Sequence, residues 1–352
     1  MQHLENMQNI VPVHFENPED FTRWQQFVYS REGTHYGDLA QWRLLFRELY
    51  HFTNYAYAYV DHDRYVGVIS VYAIRSPFMG NMLVSSPFFS YGGLYADSDP
   101  IRDALLRKIE DVGRTLHVDF IELRLKSPLP APYAANTNFL EHDLMLSDTS
   151  EEVWKTQISS NVRQNIRKSR KHPFEFSPSV DSLTCYRLLS HTIRDHGTPF
   201  HSKNFFQLLK KHFKDDVYFP GVHLNDRLVA GGVAVKFKES ISTPYIGSLK
   251  QDRRKGTNYC LYWNIINQCF SLNVKQFEFG RSPKGSTHSQ FKKKWGAQAT
   301  PIFYNYQVLN PAKSYGSVTD PSKLFVLATQ VWKRLPLFFT RATGNLLFRY
   351  IP

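Results

Sequence analysis

Residues 277–306, FEFGRSPKGSTHSQFKKKWGAQATPIFYNY, read as a short strand ending at Gly280-Arg281-Ser282, a Pro/Gly/Ser turn, a basic aromatic segment from Phe291 to Trp295, and a strand of alternating tyrosines. Arg281, Lys284, Lys292, Lys293 and Lys294 fall within fourteen residues, joined by the hydroxyls of Ser282, Ser286, Thr287 and Ser289 and the imidazole of His288. Groups of these types at a strand end can hold phosphate or a developing oxyanion. They also suit a solvated basic loop, because charge runs usually face water.

Upstream of this stretch, a helix around Phe205–Phe213 precedes a hairpin whose arms, Val217–Leu224 and Leu228–Phe237, meet at Asn225-Asp226. A third strand, Ile241–Leu249, leads into the loop KQDRRKGTN, a helix from Tyr259 to Leu272 and the strand Gln276–Phe279. The N-terminal half repeats this order without repeating the residues. A helix from Asp38 to Tyr50 is followed by a hairpin at Asp61-His62-Asp63-Arg64, the loop SSPFFSYGGLYAD, a helix over 101–116 and the alternating strand Phe120–Leu125. The expectation is an α/β chain of two tandem units, mixed sheets flanked by helices, in an order that resembles the GNAT acyltransferase core. The expected segments are 1–147, 148–310 and an amphipathic tail at 311–352.

Between the halves, Thr149 and Glu152 are spaced as a capping box, and Trp154, Ile158, Val162 and Ile166 mark the buried face of a helix over 149–171. Arg163, Arg167 and Arg170 line its neighbouring face with no carboxylate, a stripe able to dock phosphate or RNA, or simply to face water. In the tail, Leu324, Phe325, Leu327, Val331, Trp332, Leu335, Leu337, Phe338 and Phe339 alternate with Lys333, Arg334, Arg341 and Arg349. Such a segment can lie on an anionic membrane surface or pack back on its domain.

The chain's 352 residues are enough for two ordinary cores, and its formal net charge of +12 predicts attraction to RNA, nucleotide phosphates or anionic membranes. Three cysteines, Cys185, Cys260 and Cys269, lack metal-ligand spacing and read as reduced core residues. No signal-peptide pattern and no apolar run of about 18 residues is present, so a cytoplasmic protein that could touch a membrane is expected.

Acyl transfer to an amine needs a donor held by its phosphates, a polarised carbonyl and a route for the amine proton. Arg253-Arg254-Lys255-Gly256-Thr257-Asn258 approximates the R-x-x-G-x-G/A turn that wraps the pyrophosphate of coenzyme A at a helix N-terminus, with Asn258 where that turn has glycine or alanine. Candidates by chemical type for the proton acceptor are Glu278, His288, Asp195 and His196, while Asp97 follows the glycine pair of the first half.

The segments RDHGTPFHSKNFF, GSL with NYCLYW, and FEFGRSPKGSTHSQFKKKWG followed by PIFYNY resemble the FemAB family, in particular the FemAB-related proteins of exopolysaccharide (PEP-CTERM-type) systems. SSPFFSYGG, ELR, NVRQNIRKSRK and WKRLP add to the resemblance over nearly the whole chain. It implies an acyl- or aminoacyltransferase that forms an amide on an amine of an exopolysaccharide- or peptidoglycan-type precursor, lipid- or nucleotide-linked. Aminoacyl-tRNA or acyl-CoA would be co-substrate, with no tightly bound cofactor or metal. Phe291-Lys292 matches the family's Phe-Lys pair, and Asp97 stands where some family members place a functional carboxylate, which would bind substrate or donor. The lysine would neutralise charge near the reacting ester, and the phenylalanine would shape the pocket. The long coiled-coil arm of cell-wall members has no counterpart here. A non-catalytic RNA- or membrane-binding module on the same fold is the alternative reading.

Overall fold

Alternating apolar residues and tight turns build the first half into a sheet, and the computed structural model describes residues 9–77, 79–315 and 323–351. The elements begin with β1 (Ile10–Pro12), α1 (Pro18–Ser30), α2 (Gln41–Tyr50), β2 (Thr53–Asp61), β3 (Arg64–Ser76), β4 (Gly80–Val84), β5 (Leu94–Ala96), α3 (Asp99–Thr115) and β6 (Phe120–Leu125). Next come β7 (Ala134–Met145), α4 (Ser160–Ser169), β8 (Phe174–Ser177), α5 (Ser182–His196), α6 (Lys203–Phe213), β9 (Val217–Tyr218) and β10 (Gly221–Leu224). The chain continues through β11 (Arg227–Phe237), β12 (Ser240–Ser248), α7 (Thr257–Ser271), β13 (Gln276–Glu278), β14 (Ser282–Pro283) and α8 (Thr287–Lys294). It closes with β15 (Gln298–Val308), α9 (Lys323–Arg334) and α10 (Leu337–Phe348).

Contacts divide the chain into one unit of Met1–Asn138, Pro301–Val318 and Arg349–Pro352, and another of Phe139–Thr300 and Thr319–Phe348. These units differ from the expected segments. From Phe139 onward β7 belongs to the second unit, where it pairs with β13, while β15 from Pro301 returns to the first and pairs with β6. Most of the described tail belongs to the second unit, since α9 and α10 pack on α5. The expectation for Leu324, Phe325 and Leu327 lies outside the described side chains.

Within the first unit the strand order is β1-β2-β3-β4-β6-β15, and only β4 and β6 run parallel. The second unit has the order β7-β13-β12-β11-β10-β8, again with one parallel pair, β12 and β13. A parallel pair needs a crossover, and a helix supplies it each time, α3 in one unit and α7 in the other. Their cores are separate: Ile69, Leu83, Leu105, Ile109 and Ile121 in the first, Val162, Ile166, Leu261, Ile265, Phe277 and Trp295 in the second.

Several elements escape the sequence pattern. Asn17 starts α1 by accepting the Glu19 N–H at 2.9 Å, with Pro18 in its first turn, and Asp181 starts α5 by accepting the Thr184 N–H at 2.8 Å. Strand β7 is also unexpected. The helix expected over 149–171 is broken. Thr149 accepts the Glu152 N–H at 3.2 Å, but the chain leaves the helix at Ile158, and Ser159 caps a fresh one, α4. Val217–Leu224 is interrupted at Phe219-Pro220, leaving β9 and β10 as separate strands. The longest helix among the described residues, α3, spans 17 residues, so no coiled-coil arm is found there.

In the first unit the parallel pair is stitched shut beyond β4. Ser85 N–H donates to Glu122 O at 3.0 Å and Gly92 N–H to Arg124 O at 2.9 Å, so the SSPFFSYGG loop runs on along β6. Arg124, 1 % exposed, donates from Nε to Glu122 at 2.7 Å and from Nη1 to Ser86 O at 3.0 Å, while Tyr315 donates to the other Glu122 oxygen. Removing one partner of a buried pair leaves an uncompensated charge. Arg124→Ala should therefore cost about 3–5 kcal/mol of unfolding free energy in urea titrations, most of it regained when Glu122→Leu is added.

Candidate active site

The second unit leaves its parallel pair open. β12 and β13 pair over Ser240↔Gln276, Ile241↔Phe277 and Ser242↔Glu278, and then separate. Ser242 Oγ donates to the Glu278 carboxylate and Thr243 Oγ1 to the Glu278 carbonyl at 3.2 Å, which fixes the point of separation. Beyond it, β12 continues to Ser248 against β11. The other branch turns at Gly280, whose φ of 76° favours glycine, into β14 against Leu140 and Phe139 of β7. A cleft opens at the carboxyl ends of the parallel strands, the usual ligand position in open α/β sheets.

One wall of this cleft is the turn and helix that follow β14. Ser286 accepts the Ser289 N–H at 3.2 Å and starts α8, whose Trp295 end sinks into an aromatic cluster with Tyr259, Tyr262 and Phe279. Phe291 belongs to that cluster, 5.5 Å from the Tyr259 ring and 5.6 Å from Tyr262. With this anchor, Lys292 lies buried and its Nζ donates to Gly280 O at 2.7 Å and Arg281 O at 3.0 Å. Burial lowers the ammonium pKa from 10.5 to about 8, Glu141 and Asp143 of β7 act to raise it, and Arg281 adds to the lowering.

Loop 250–255 forms the opposite wall. Asp252, buried, receives Arg227 at 3.0 Å and Lys255 at 2.9 Å, and its carbonyl accepts the Thr257 hydroxyl at 2.6 Å. Lys255 is thus committed to the loop, while Arg254 is exposed and Arg253 reaches Ser248 O and Oγ, each at 3.3 Å, and His196 Nε2 at 3.4 Å. Gly256 has φ 83° and would bring a Cβ within 2.9 Å of Asn165 O, so a side chain here would push α7 from α4. Asn258 stands in the first turn of α7 with its Oδ1 lacking a hydrogen-bond partner.

His288, on the first turn of α8, has its ring 6.5 Å from that of His196 at the end of α5. Partial desolvation, then Lys292 and Arg253, lower the His288 pKa; burial, Arg253 and His288 lower that of His196. Both imidazoles are held neutral beside cations. Arg281 stacks over Phe139 at 5.5 Å and exerts charge on Tyr245, whose hydroxyl lies 2.6 Å from His201 Nε2.

Other expected residues have structural work. Glu278 is buried at the strand junction, with Gln276 Nε2 3.4 Å from its second oxygen, so this carboxylate braces the sheet. Ser282 is buried in β14, and Lys284 is exposed at the turn. Arg163 donates to the carbonyls of Trp154 at 3.0 Å, Lys155 at 3.3 Å and Ile158 at 2.6 Å, closing the helical turn that ends at the break. Only Arg167 and Arg170 are left exposed, stacked on Trp154. Asp97, in the first unit, is ion-paired with Arg31, and Asp195 with its neighbour Arg194 at 2.6 Å.

Two pairs at the site have no sequence signal. His142 of β7 is buried with Nε2 2.8 Å from Ser289 Oγ, and burial followed by the Lys292 charge lowers its pKa to about 4. Its position comes from a strand far away in sequence. The Tyr245–His201 pair likewise joins β12 to the α5–α6 connection.

Comparison with known proteins supports this architecture. Residues 157–293 match the family model described as an acetyltransferase (GNAT) domain. The fold is similar to that of FemX, with a TM-score of 0.63 at 14 % identity, covering 83 % of this chain and 96 % of that one. A tandem GNAT protein of the clavulanic acid biosynthesis pathway gives a TM-score of 0.56 at 8 % identity, covering 86 % of this chain and 99 % of that one. L-PGS from Bacillus licheniformis gives 0.55 at 10 % identity, covering 91 % and 98 %. No curated protein matches the sequence. The chain therefore has a tandem GNAT-like fold, and the match to the GNAT domain model lies in its second unit.

The Lys292 environment has a pH signature. Because its folded pKa lies below its unfolded value, the unfolded chain binds the extra proton between pH 8 and 10.5, and this group's contribution to stability rises with pH across that window. Urea titrations should show this rise, at most about 1.4 kcal/mol per pH unit, and Lys292→Met should abolish it.

Proposed function

We propose that this chain is an N-acyltransferase that moves an acyl or aminoacyl group onto an amine of a cell-envelope glycan precursor, of exopolysaccharide or peptidoglycan type. The observation that carries this reading is the open parallel pair of the second unit, flanked by Arg253 on one wall and by Arg281, His288 and Lys292 on the other. An amide-bearing donor can lie along the free edge of β12 past Thr243, its phosphates near Arg253, Arg254 and the first turn of α7. Attack by the amine places negative charge on the donor carbonyl, which Arg281 and the buried Lys292 ammonium oppose. Lys292 also positions the Gly280–Arg281 backbone that carries one wall. The neutral His288 imidazole accepts the amine proton and returns it to the departing thiolate or ribose oxygen.

Acyl-CoA can use both the β12 edge and the phosphate-binding turn, whereas aminoacyl-tRNA, an ester with phosphates but no amide beside it, can use only the latter. The Arg253–Asn258 turn favours the first, and the exposed Arg167 and Arg170 pair on Trp154 favours the second. Purified protein supplied with an amine-bearing glycan precursor should release free carrier from one of these donors. Lys292→Met should lower kcat about 100-fold with the fold intact by circular dichroism, and Arg253→Ala should raise the donor KM about tenfold. Absence of turnover on either donor, together with steeply salt-dependent RNA binding, would replace this reading with a non-catalytic binding module.

A further inference from the structure

Helix α10 turns three of its large apolar residues to solvent. Toward α5 it presents small and polar positions: Thr340 and Gly344 are buried, Arg341 donates to Ser190 Oγ at 2.9 Å and Arg187 O at 3.1 Å, and Asn345 Oδ1 accepts the Ser202 N–H at 3.2 Å. Gly344 sits so close to the α5–α6 connection that a Cβ would come within 3.0 Å of Phe200 O. Of its large apolar residues, Leu337, Leu347 and Phe348 are partly buried, with the Phe348 ring 4.4 Å from that of His201, but three others point to solvent. Phe338, Ala342 and Leu346 recur once per turn on the solvent side with Phe339 beside them, and Phe338 is 76 %, Leu346 53 % and Phe339 44 % exposed. Val331, near the end of α9, is 49 % exposed. A helix placed only for packing would bury Phe338 and Phe339 as well; contiguous exposed apolar surface of this kind marks a contact site.

Charge identifies the occupant. From Pro321 to Pro352 the chain holds five cations, Lys323, Lys333, Arg334, Arg341 and Arg349, and no carboxylate. Arg341 is used in packing, but Arg334 is exposed two residues before Pro336 and four before Phe338, with Lys333 half-exposed beside it. Exposed aromatic and aliphatic side chains beside cations, with no acid among them, complement a lipid surface bearing negative headgroups. Among the described residues no helix is long and apolar enough to cross a membrane, so the contact is one of lying on the surface.

We propose that the outer face of α10 is a peripheral docking surface for anionic membranes, with Phe338, Phe339 and Leu346 entering the headgroup–acyl boundary and Lys333 and Arg334 meeting the headgroups. The inference extends the envelope-precursor reading by placing the enzyme where a lipid-linked acceptor resides, but its test requires no turnover, so either can fail alone. The full chain should cosediment with vesicles of mixed phosphatidylglycerol and phosphatidylcholine, far less with phosphatidylcholine alone, and less in high salt. The double variant Phe338→Ser, Phe339→Ser should bind about tenfold more weakly or worse with an unchanged thermal midpoint, and Lys333→Gln with Arg334→Gln should flatten the salt dependence. Unchanged vesicle binding by the phenylalanine variant overturns the proposal. So does a concentration-dependent dimer of the wild-type chain that this variant dissolves while neither protein binds vesicles, which would assign the face to a second copy.

Discussion

Ser242, Thr243 and Glu278 hold two parallel strands together for three residues, and the second unit's chemistry depends on their stopping there. The carboxylate of Glu278 takes the Ser242 hydroxyl and its carbonyl takes Thr243, so the junction is satisfied on both its side-chain and backbone sides. Past this point one strand follows β11 and the other follows β7, and each departure is enforced by backbone pairing rather than by a flexible loop. The resulting cleft is consequently a property of the sheet register. The first unit begins from the same parallel arrangement, but its loop after β4 fills the corresponding space and is locked there by Arg124.

Electrostatic commitments decide which of the many cations remain free to meet a ligand. Asp252 absorbs Arg227 and Lys255, helix-end carbonyls absorb Arg163, and two loop carbonyls hold Lys292. Arg253 is left leaning across the cleft wall and Arg254 faces water. The burial of Lys292 lowers its proton affinity, yet Glu141 and Asp143 limit that loss, so the buried ammonium persists near neutral pH. Charge there acts through a low dielectric, which makes it worth more than the same charge on the rim.

Much of the second unit was legible in its sequence because local rules govern it: the turn at Asn225-Asp226, with positive φ at both residues, the alternation in β11 and β12, and the glycine at 256. The basic cluster after Gly280 was also visible as composition. What residue types could not show was which members are occupied. Lys255 and Lys292 look alike as basic residues beside a loop, and only the positions of Asp252, Gly280 and Arg281 separate their roles. His142 and Tyr245 were invisible for a different reason, since each becomes relevant only through strand register with a distant segment. The broken helix at Ile158 follows the same logic, as Ser159 forms an ordinary cap and its N–H donates to Lys294 O at 2.9 Å, beyond the reach of any local window.

β15 has a consequence for how the chain is made. Its residues from Pro301 onward complete the first unit by pairing with β6, although about half the chain separates them. During synthesis, then, the N-terminal unit emerges with the β6 edge unpaired, a bare row of backbone donors and acceptors of the kind that recruits other strands. It can close only after nearly the whole second unit has left the ribosome. Assembly is therefore long-range in order as well as in geometry, and the early chain depends on slow completion rather than on folding domain by domain.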